Sequence, residues 1–188
     1  DTVFLFAPDA TLLDKLQIAQ AHVDVSCGRG LDGKAAYYEM PTPGQPNGTG
    51  ASGYAETPAF SLPTGAYTST QSVEISIPIG TTVRYTTDGS TPTESSPAYT
   101  GPIALSSGVT VLRARAFGSG LLTSDVATAS YFINLGEATA ENHVSTLPVV
   151  SLVSDPDYLF GATNGIYVAG QAYNEKSGGM DAATSYPI

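Results

Sequence analysis

The sequence offers very little with which to cross-link the chain or to bind a metal. It has one cysteine, Cys27, and no tryptophan. A single cysteine excludes an intrachain disulfide and a cysteine-ligated zinc cluster. The two histidines, His22 and His143, both stand outside an H-x-x-x-H or G-x-S-x-G context. We therefore predict no catalytic residues, no metal ligands and no cofactor.

Positive charge is also scarce. Seven Lys and Arg residues stand against 17 Asp and Glu residues, which gives a formal net charge of -10 at pH 7. Nucleic-acid binding requires a basic patch that neutralises phosphates, and only Arg113 and Arg115 lie close together. The same deficit disfavours an anionic membrane surface. We predict no nucleic-acid partner and interpret the acidity as an aid to solubility.

Long apolar segments are missing as well. The longest runs, such as "VFLFA" from Val3 to Ala7, fall far short of the roughly 20 residues that span a bilayer. The first residues, beginning with Asp1, have no basic region and do not resemble a signal peptide. We predict no membrane insertion.

What the sequence does contain is typical of short strands joined by turns. Charged residues make up 13%, against about 25% in ordinary domains, while Gly, Pro and Tyr are plentiful. "VEISIPI" alternates with Val73, Ile75, Ile77 and Ile79 on one face, and Pro78 suggests an edge strand. Similar alternations place these residues inward: Val83 and Tyr85; Leu112, Ala114 and Ala116; Ala127, Ala129, Tyr131 and Ile133.

Adding "AFSL" and "GPIAL" gives six or seven strands in residues 57–134, which predicts an all-β fold with an immunoglobulin-like antiparallel sandwich. Upstream, "TVFLF", "LQIAQ", "HVDVS" and "AAYYEM" read as strand-like pieces of a second, partial β module over residues 1–47. The Gly- and Pro-rich stretch from Thr42 to Gly53 leads us to place a linker at residues 48–56. Residues 135–188 are predicted to be a further linker and the start of another domain.

The stretch "CGRGLDGK" matches two nucleotide-binding motifs. Gly28, Gly30 and Gly33 satisfy G-x-G-x-x-G, and the P-loop pattern holds up to Ala35, where Ser or Thr is required. Both motifs need a long helix whose N-terminus holds the phosphates. Only "KAAYYEM" precedes Pro41. We therefore interpret the glycines as a turn between two strands.

The same stretch carries a family resemblance. "SCGRGLDG", the aromatic "AAYYEM" and "PTPGQPN" resemble the closing strands of the bacterial lamin-tail domain, an immunoglobulin-like module. The matching residues are Ser26, Gly28, Arg29, Asp32, Gly33, Pro41, Thr42, Pro43, Gly44 and Asn47. Cys27 stands where an aromatic is common, and Tyr38 where tryptophan is frequent. The resemblance covers residues 1–47 and implies an incomplete module.

Two further resemblances follow along the chain. "FSLPTGAYTSTQSVEIS", "VRYTTDGSTPTESSPAYTGPI" and "LRARAFGSGLLTSDVATASY" are similar to the chitobiase/β-hexosaminidase C-terminal module, also called fibronectin-type-III-associated. This implies a non-catalytic domain that accompanies secreted carbohydrate-active enzymes and surface proteins. "LPVVSLVSDPDYLF" with "GIYVAG" looks like the entrance to a CotH-type spore-coat kinase domain. Its catalytic motifs would lie further along, so that phosphotransfer would belong to a longer parent protein.

The most recognisable candidate site is "YTTDGSTPT". Asp88, Thr91 and the nearby Tyr99 are candidate ligand-binding residues that could face a sugar. The alternative, which we favour, is that Asp88 and Gly89 form a hairpin turn. Asp155 and Asp157 provide too few oxygens for calcium, so we expect a turn or a helix start there.

These observations predict a non-catalytic structural or spacer region of a bacterial multidomain protein that is extracellular or at the cell surface. The expected partner, if there is one, is a polysaccharide or cell-wall surface. The alternative is a carbohydrate-binding accessory module of a carbohydrate-active enzyme or of a CotH-type parent. The absence of tryptophan speaks against the alternative. The sequence leaves the oligomeric state open.

Overall fold

The computed structural model describes residues 2–18, 21–136, 150–154 and 156–161. In these residues the protein is essentially all-β, which confirms the predicted fold class. The strands are β1 (Thr2–Phe6), β2 (Leu12–Gln17), β3 (Ser26–Arg29), β4 (Ala35–Tyr38), β5 (Gly65–Tyr67), β6 (Gln71–Val73), β7 (Thr81–Thr86), β8 (Ile103–Leu105), β9 (Gly108–Gly118) and β10 (Ala127–Ile133). One short helix, α1, spans Pro156–Phe160.

The larger layer of the sandwich is a four-stranded sheet in the order β5-β10-β9-β7. β9 is antiparallel to both of its neighbours, and β5 joins β10 in parallel. The predicted alternation on β9 is confirmed, because Leu112, Ala114 and Ala116 are buried while Arg113 and Arg115 are only half-buried.

The opposite layer pairs β6 with β8. The chain at Phe60 extends this layer through a bridge to Ile75, and the amide of Ser61 donates to the Glu74 carbonyl at 2.9 Å. Side chains from both layers meet in the core, which consists of two clusters. One contains Val73, Leu105, Leu112, Ala129, Tyr131 and Ile133, and the other contains Ala55, Ile75, Val83, Ala114 and Ala116.

The alternation from Val73 to Ile79 proved wrong at its second half. Val73 and Ile75 are buried as expected, but Ile77 and Ile79 are exposed. The chain turns at this point, because the Pro78 carbonyl accepts hydrogen bonds from both the amide and the hydroxyl of Thr81. Gly80 adopts a φ of 75° in that turn. The turn therefore takes precedence over the hydrophobic pattern.

The N-terminal residues form two antiparallel hairpins, β1-β2 and β3-β4. Within "LQIAQ", β2 ends at Gln17. The strand expected at "HVDVS" is wrong: a turn occupies its middle, where Asp24 has a φ of 64°, and β3 begins only at Ser26.

The glycine motif begins in β3, where Gly28 pairs with Ala36, and continues through the turn between β3 and β4, in agreement with the interpretation from the sequence. The Gly30 amide donates to the Lys34 carbonyl at 2.9 Å, and Gly33 adopts a φ of 75°. A strand follows it, so this segment lacks the helix N-terminus that a dinucleotide or P-loop site requires.

The segment assigned as a linker, residues 48–56, makes contacts on both sides. Ala51 exchanges two 2.9 Å backbone hydrogen bonds with Tyr37 on β4. Ser52 and Ala55 donate their amides to the carbonyls of Gly120 and Leu122 in the sandwich. Ala51 and Ala55 are buried. The division of the chain into domains at this segment stays a prediction, but the segment itself is docked on both β4 and the sandwich.

Most of residues 135–188, including "GIYVAG", lies outside the described residues. The buried strand expected in "LPVVSLV" is not seen at 150–154, which are irregular and mostly exposed. Helix α1 begins at Pro156, which agrees with a helix start between the two aspartates. In the described part of the chain, no helix is long and apolar enough to cross a membrane.

Candidate functional site

Asp88 closes its own turn. Its Oδ1 accepts hydrogen bonds from the amide and the hydroxyl of Ser90, at 3.0 and 2.6 Å. These bonds, the one from the Ser90 hydroxyl above all, lower the pKa of the Asp88 carboxyl. The next residue, Gly89, has a φ of 81° and donates its amide to the Val111 carbonyl on β9. The carboxylate therefore fixes the turn between β7 and the loop that follows it.

Thr91 is bound to the sheet through Arg113. The Arg113 Nη1 donates to the Thr91 hydroxyl at 3.0 Å and to the Gly89 carbonyl at 3.1 Å. Pro92, next to Thr91, is fully buried. A guanidinium that spans two acceptors of one loop holds that loop in place. Asp88 and Thr91 thus lie in the same loop, both exposed at the surface.

Tyr99, the third candidate residue, packs against Tyr85 and the core. Its ring packs edge-on against Tyr85, with centroids 6.3 Å apart and an interplanar angle of 83°. Its amide donates to the Val83 carbonyl at 2.8 Å, and its side chain packs on the core cluster around Val83. The structure shows no hydrogen bond from Tyr99 to Asp88 or Thr91 among the described residues.

A cleft of about 310 Å³ lies between the N-terminal hairpins and the sandwich. The sequence analysis did not identify it. The hairpin side contributes His22, Val23, Asp24, Val25 and Glu39, the docked segment contributes Tyr54, and the sandwich contributes Arg115, Leu122 and Thr123. Its volume is at the lower end for ligand pockets, about 300–1,000 Å³.

An aromatic cluster closes one side of this cleft. The rings of His22 and Tyr54 stack with centroids 4.0 Å apart, and Tyr37 tilts against Tyr54 at 5.1 Å. The Tyr54 hydroxyl accepts a hydrogen bond from the His22 amide at 3.0 Å. The His22 Nδ1 also lies 3.8 Å from a carboxylate oxygen of Asp125 in the sandwich. We call these residues, His22, Tyr37, Tyr54 and Asp125, the aromatic joint.

The joint and the cleft contain no recognisable catalytic arrangement. In the part of the chain that the structure describes, no group of three or more His, Cys, Asp or Glu side chains could hold a metal ion. The Arg115 Nε donates to the Ser124 carbonyl at 2.8 Å, which holds this charged group against the sandwich. The aromatic joint connects the N-terminal hairpins to the sandwich by packing and hydrogen bonding.

Sequence reasoning could not have found the joint, because its members come from distant positions. His22 and Asp125 belong to different β units, and Tyr54 sits in a segment whose composition indicates a linker. The one available signal was Tyr54 itself, a large aromatic residue among Gly, Ser and Ala.

Residues 62–128, about a third of the chain, match the family model of the chitobiase/beta-hexosaminidase C-terminal domain. This confirms the resemblance of the middle unit, and that domain is a non-catalytic, carbohydrate-associated accessory β-sandwich of immunoglobulin-like type. No curated protein and no solved structure matches the chain. The lamin-tail and CotH resemblances stay predictions.

Proposed function

We propose that this chain is a non-catalytic structural spacer of a secreted or cell-surface bacterial multidomain protein. The observation that carries the proposal is the docked segment. Residues 51–55 are hydrogen-bonded to β4 on one side and to the loop after β9 on the other. A spacer that sets the distance between its neighbours must resist bending at its own junctions, and this junction is fastened at several points.

The fastening combines burial with hydrogen bonding. Ala51 and Ala55 are buried, at 8% and 5% exposed, and Tyr54 packs on His22 and Tyr37. Each backbone hydrogen bond contributes about 0.5–1.5 kcal/mol, and aromatic pairs add about 0.5–1.5 kcal/mol beyond the area they bury. Relative motion of the two units would have to break several of these contacts at once.

The polar groups of the sandwich also support a structural function. Asp88 and Thr91, the exposed candidate ligand-binding residues, already bind Ser90 and Arg113. Tyr99 packs edge-on against Tyr85 and on the core. A sugar would have to compete for groups that already stabilise the fold. The proposed partner is therefore a neighbouring domain rather than a soluble ligand.

The second candidate function is weak polysaccharide contact through the loop of Asp88 and Thr91. The observation in its favour is that both side chains are exposed on a unit that matches a carbohydrate-associated domain. The cell-wall partner belongs to this second proposal, whereas the surface localisation belongs to both.

A pull-down on insoluble chitin, cellulose and peptidoglycan distinguishes the two candidates. The spacer function predicts that the protein stays in the supernatant with all three. Retention that Asp88→Ala abolishes would instead establish the binding function. Asp32→Ala is the matched control, because Asp32 also accepts a hydrogen bond from the amide two residues ahead, in the β3-β4 turn. Retention that both variants lose equally would indicate a stability effect.

A further inference from the structure

The hairpin β1-β2 exposes apolar side chains on both of its faces. Val3, Phe4, Leu5 and Phe6 on β1 are 52 to 59% exposed. Leu12 and Leu13 on β2 are also exposed, at 47% and 62%. Adjacent residues of a strand point to opposite faces, so neither face of this hairpin is covered. The rings of Phe4 and Phe6 stack on each other, with centroids 6.1 Å apart.

The hairpin is also a sheet of only two strands. In the described residues β1 pairs with β2 alone. A two-stranded hairpin is marginally stable at best in water, and an uncharged free edge is a template for another strand. The outer edge of β7, by contrast, is covered, because Arg84 forms a bridge with Ala98 there.

The charges around β1 do not oppose pairing with β1 of a second copy. β1 itself carries no charged residue. On β2, the Asp14 carboxylate is neutralised by Arg29, whose Nε and Nη2 donate to it at 3.1 and 2.6 Å. Two β1 strands can therefore approach without placing like charges opposite each other, although the whole chain carries a net charge of -10.

We propose that β1 pairs antiparallel with β1 of a second copy, forming the four-stranded sheet β2-β1-β1-β2. A two-fold axis at Phe4 sets Val3 opposite Leu5 of the other copy, and Thr2 opposite Phe6. The strand is self-complementary in this register, because every apolar side chain meets another strand residue without charge. The interface is isologous and closes after two copies.

The available area indicates a weak dimer. A Phe side chain buries about 150–250 Å² when fully covered, so the half-exposed apolar side chains of the hairpin present on the order of 500 Å² in total. Edge pairing covers only the part of this area that faces the partner strand. A standard interface buries about 800 Å² per partner. We therefore expect a concentration-dependent equilibrium rather than an obligate dimer.

Sedimentation velocity over a wide concentration range tests the proposal. We expect a transition from the monomer mass of 19.3 kDa to twice that mass. Leu5→Lys should raise the dissociation constant by about twofold to thirtyfold, because the dimer then loses the cross-strand contact of Leu5 with Val3, which occurs twice across the axis. Leu31→Lys is the matched control: Leu31 is 83% exposed in the β3-β4 turn, and the dimer should tolerate its loss.

Cross-linking gives a second measurement that does not depend on a charged substitution. In a Cys27→Ser background, Phe4→Cys places two thiols across the proposed axis, within disulfide reach, and mild oxidation should yield a covalent dimer. Leu31→Cys should not cross-link. A monomer at every concentration, a dimer that Leu5→Lys leaves intact, or open-ended aggregates would each overturn the proposal.

Discussion

At the scale of single residues, the polar side chains of the sandwich serve mainly to hold the fold. Asp88, the most prominent candidate from the sequence, caps a turn, and Thr91 accepts a hydrogen bond from Arg113. Ser124, which no pattern singled out, is fully buried and bridges two segments. Its hydroxyl accepts a hydrogen bond from the Ala116 amide and donates to the Asp125 carbonyl.

Ser124→Ala should destabilise the protein by about 1–3 kcal/mol, because the buried Ala116 amide loses its acceptor. Urea denaturation followed by circular dichroism measures the change. Ser72→Ala, at an exposed position of β6, is the control and should change stability by less than about 0.5 kcal/mol. Equal effects of the two substitutions would show that the Ser124 hydroxyl has no special importance.

At the scale of elements, the sequence pattern identified strands in which several alternate residues are buried on one face. β9 is the clearest example, since Leu112, Ala114 and Ala116 all face the core. The pattern failed where a turn begins inside it, as at Ile77 and Ile79, because periodicity reports hydrophobicity and not the hydrogen bonds of Thr81 to Pro78. It also could not show that residues 51–55 pair with distant segments.

One arginine connects the two N-terminal hairpins by hydrogen bonds. Arg29 on β3 binds the Asp14 carboxylate and also donates to the carbonyls of Lys15 and Gly33. The hydrogen bond from Arg29 is the main reason that the pKa of Asp14 lies below its ordinary 3.8. A carboxyl whose pKa is lowered by folding stabilises the folded form above its unfolded pKa, and that contribution is lost as the pH falls through the folded value.

Arg29→Gln should therefore raise the pKa of Asp14 back toward 3.8, which carboxyl NMR titration measures. Asp88 provides an internal control, because its lowered pKa comes from Ser90 and should stay unchanged in the variant. If the titration of Asp14 is the same in both proteins, the ion pair between the hairpins does not form in solution.

At the scale of the whole molecule, the described residues contain a sandwich that could be predicted from the sequence and a junction that could not. The sandwich follows from local alternation and turns. The junction depends on contacts between residues far apart in sequence, such as Tyr54 with His22 and Ser52 with Gly120. Composition alone made this segment look like a flexible linker.

The central claim is that the docked segment makes the N-terminal hairpins and the sandwich one rigid unit. Backbone amide NMR relaxation tests it most directly, in the Leu5→Lys background to suppress self-association. We predict one tumbling time for the amides of β3-β4 and of β9-β10, and separate times in Tyr54→Ala but not in the control Tyr99→Ala. Faster tumbling of β3-β4 with Tyr54 intact would contradict the claim.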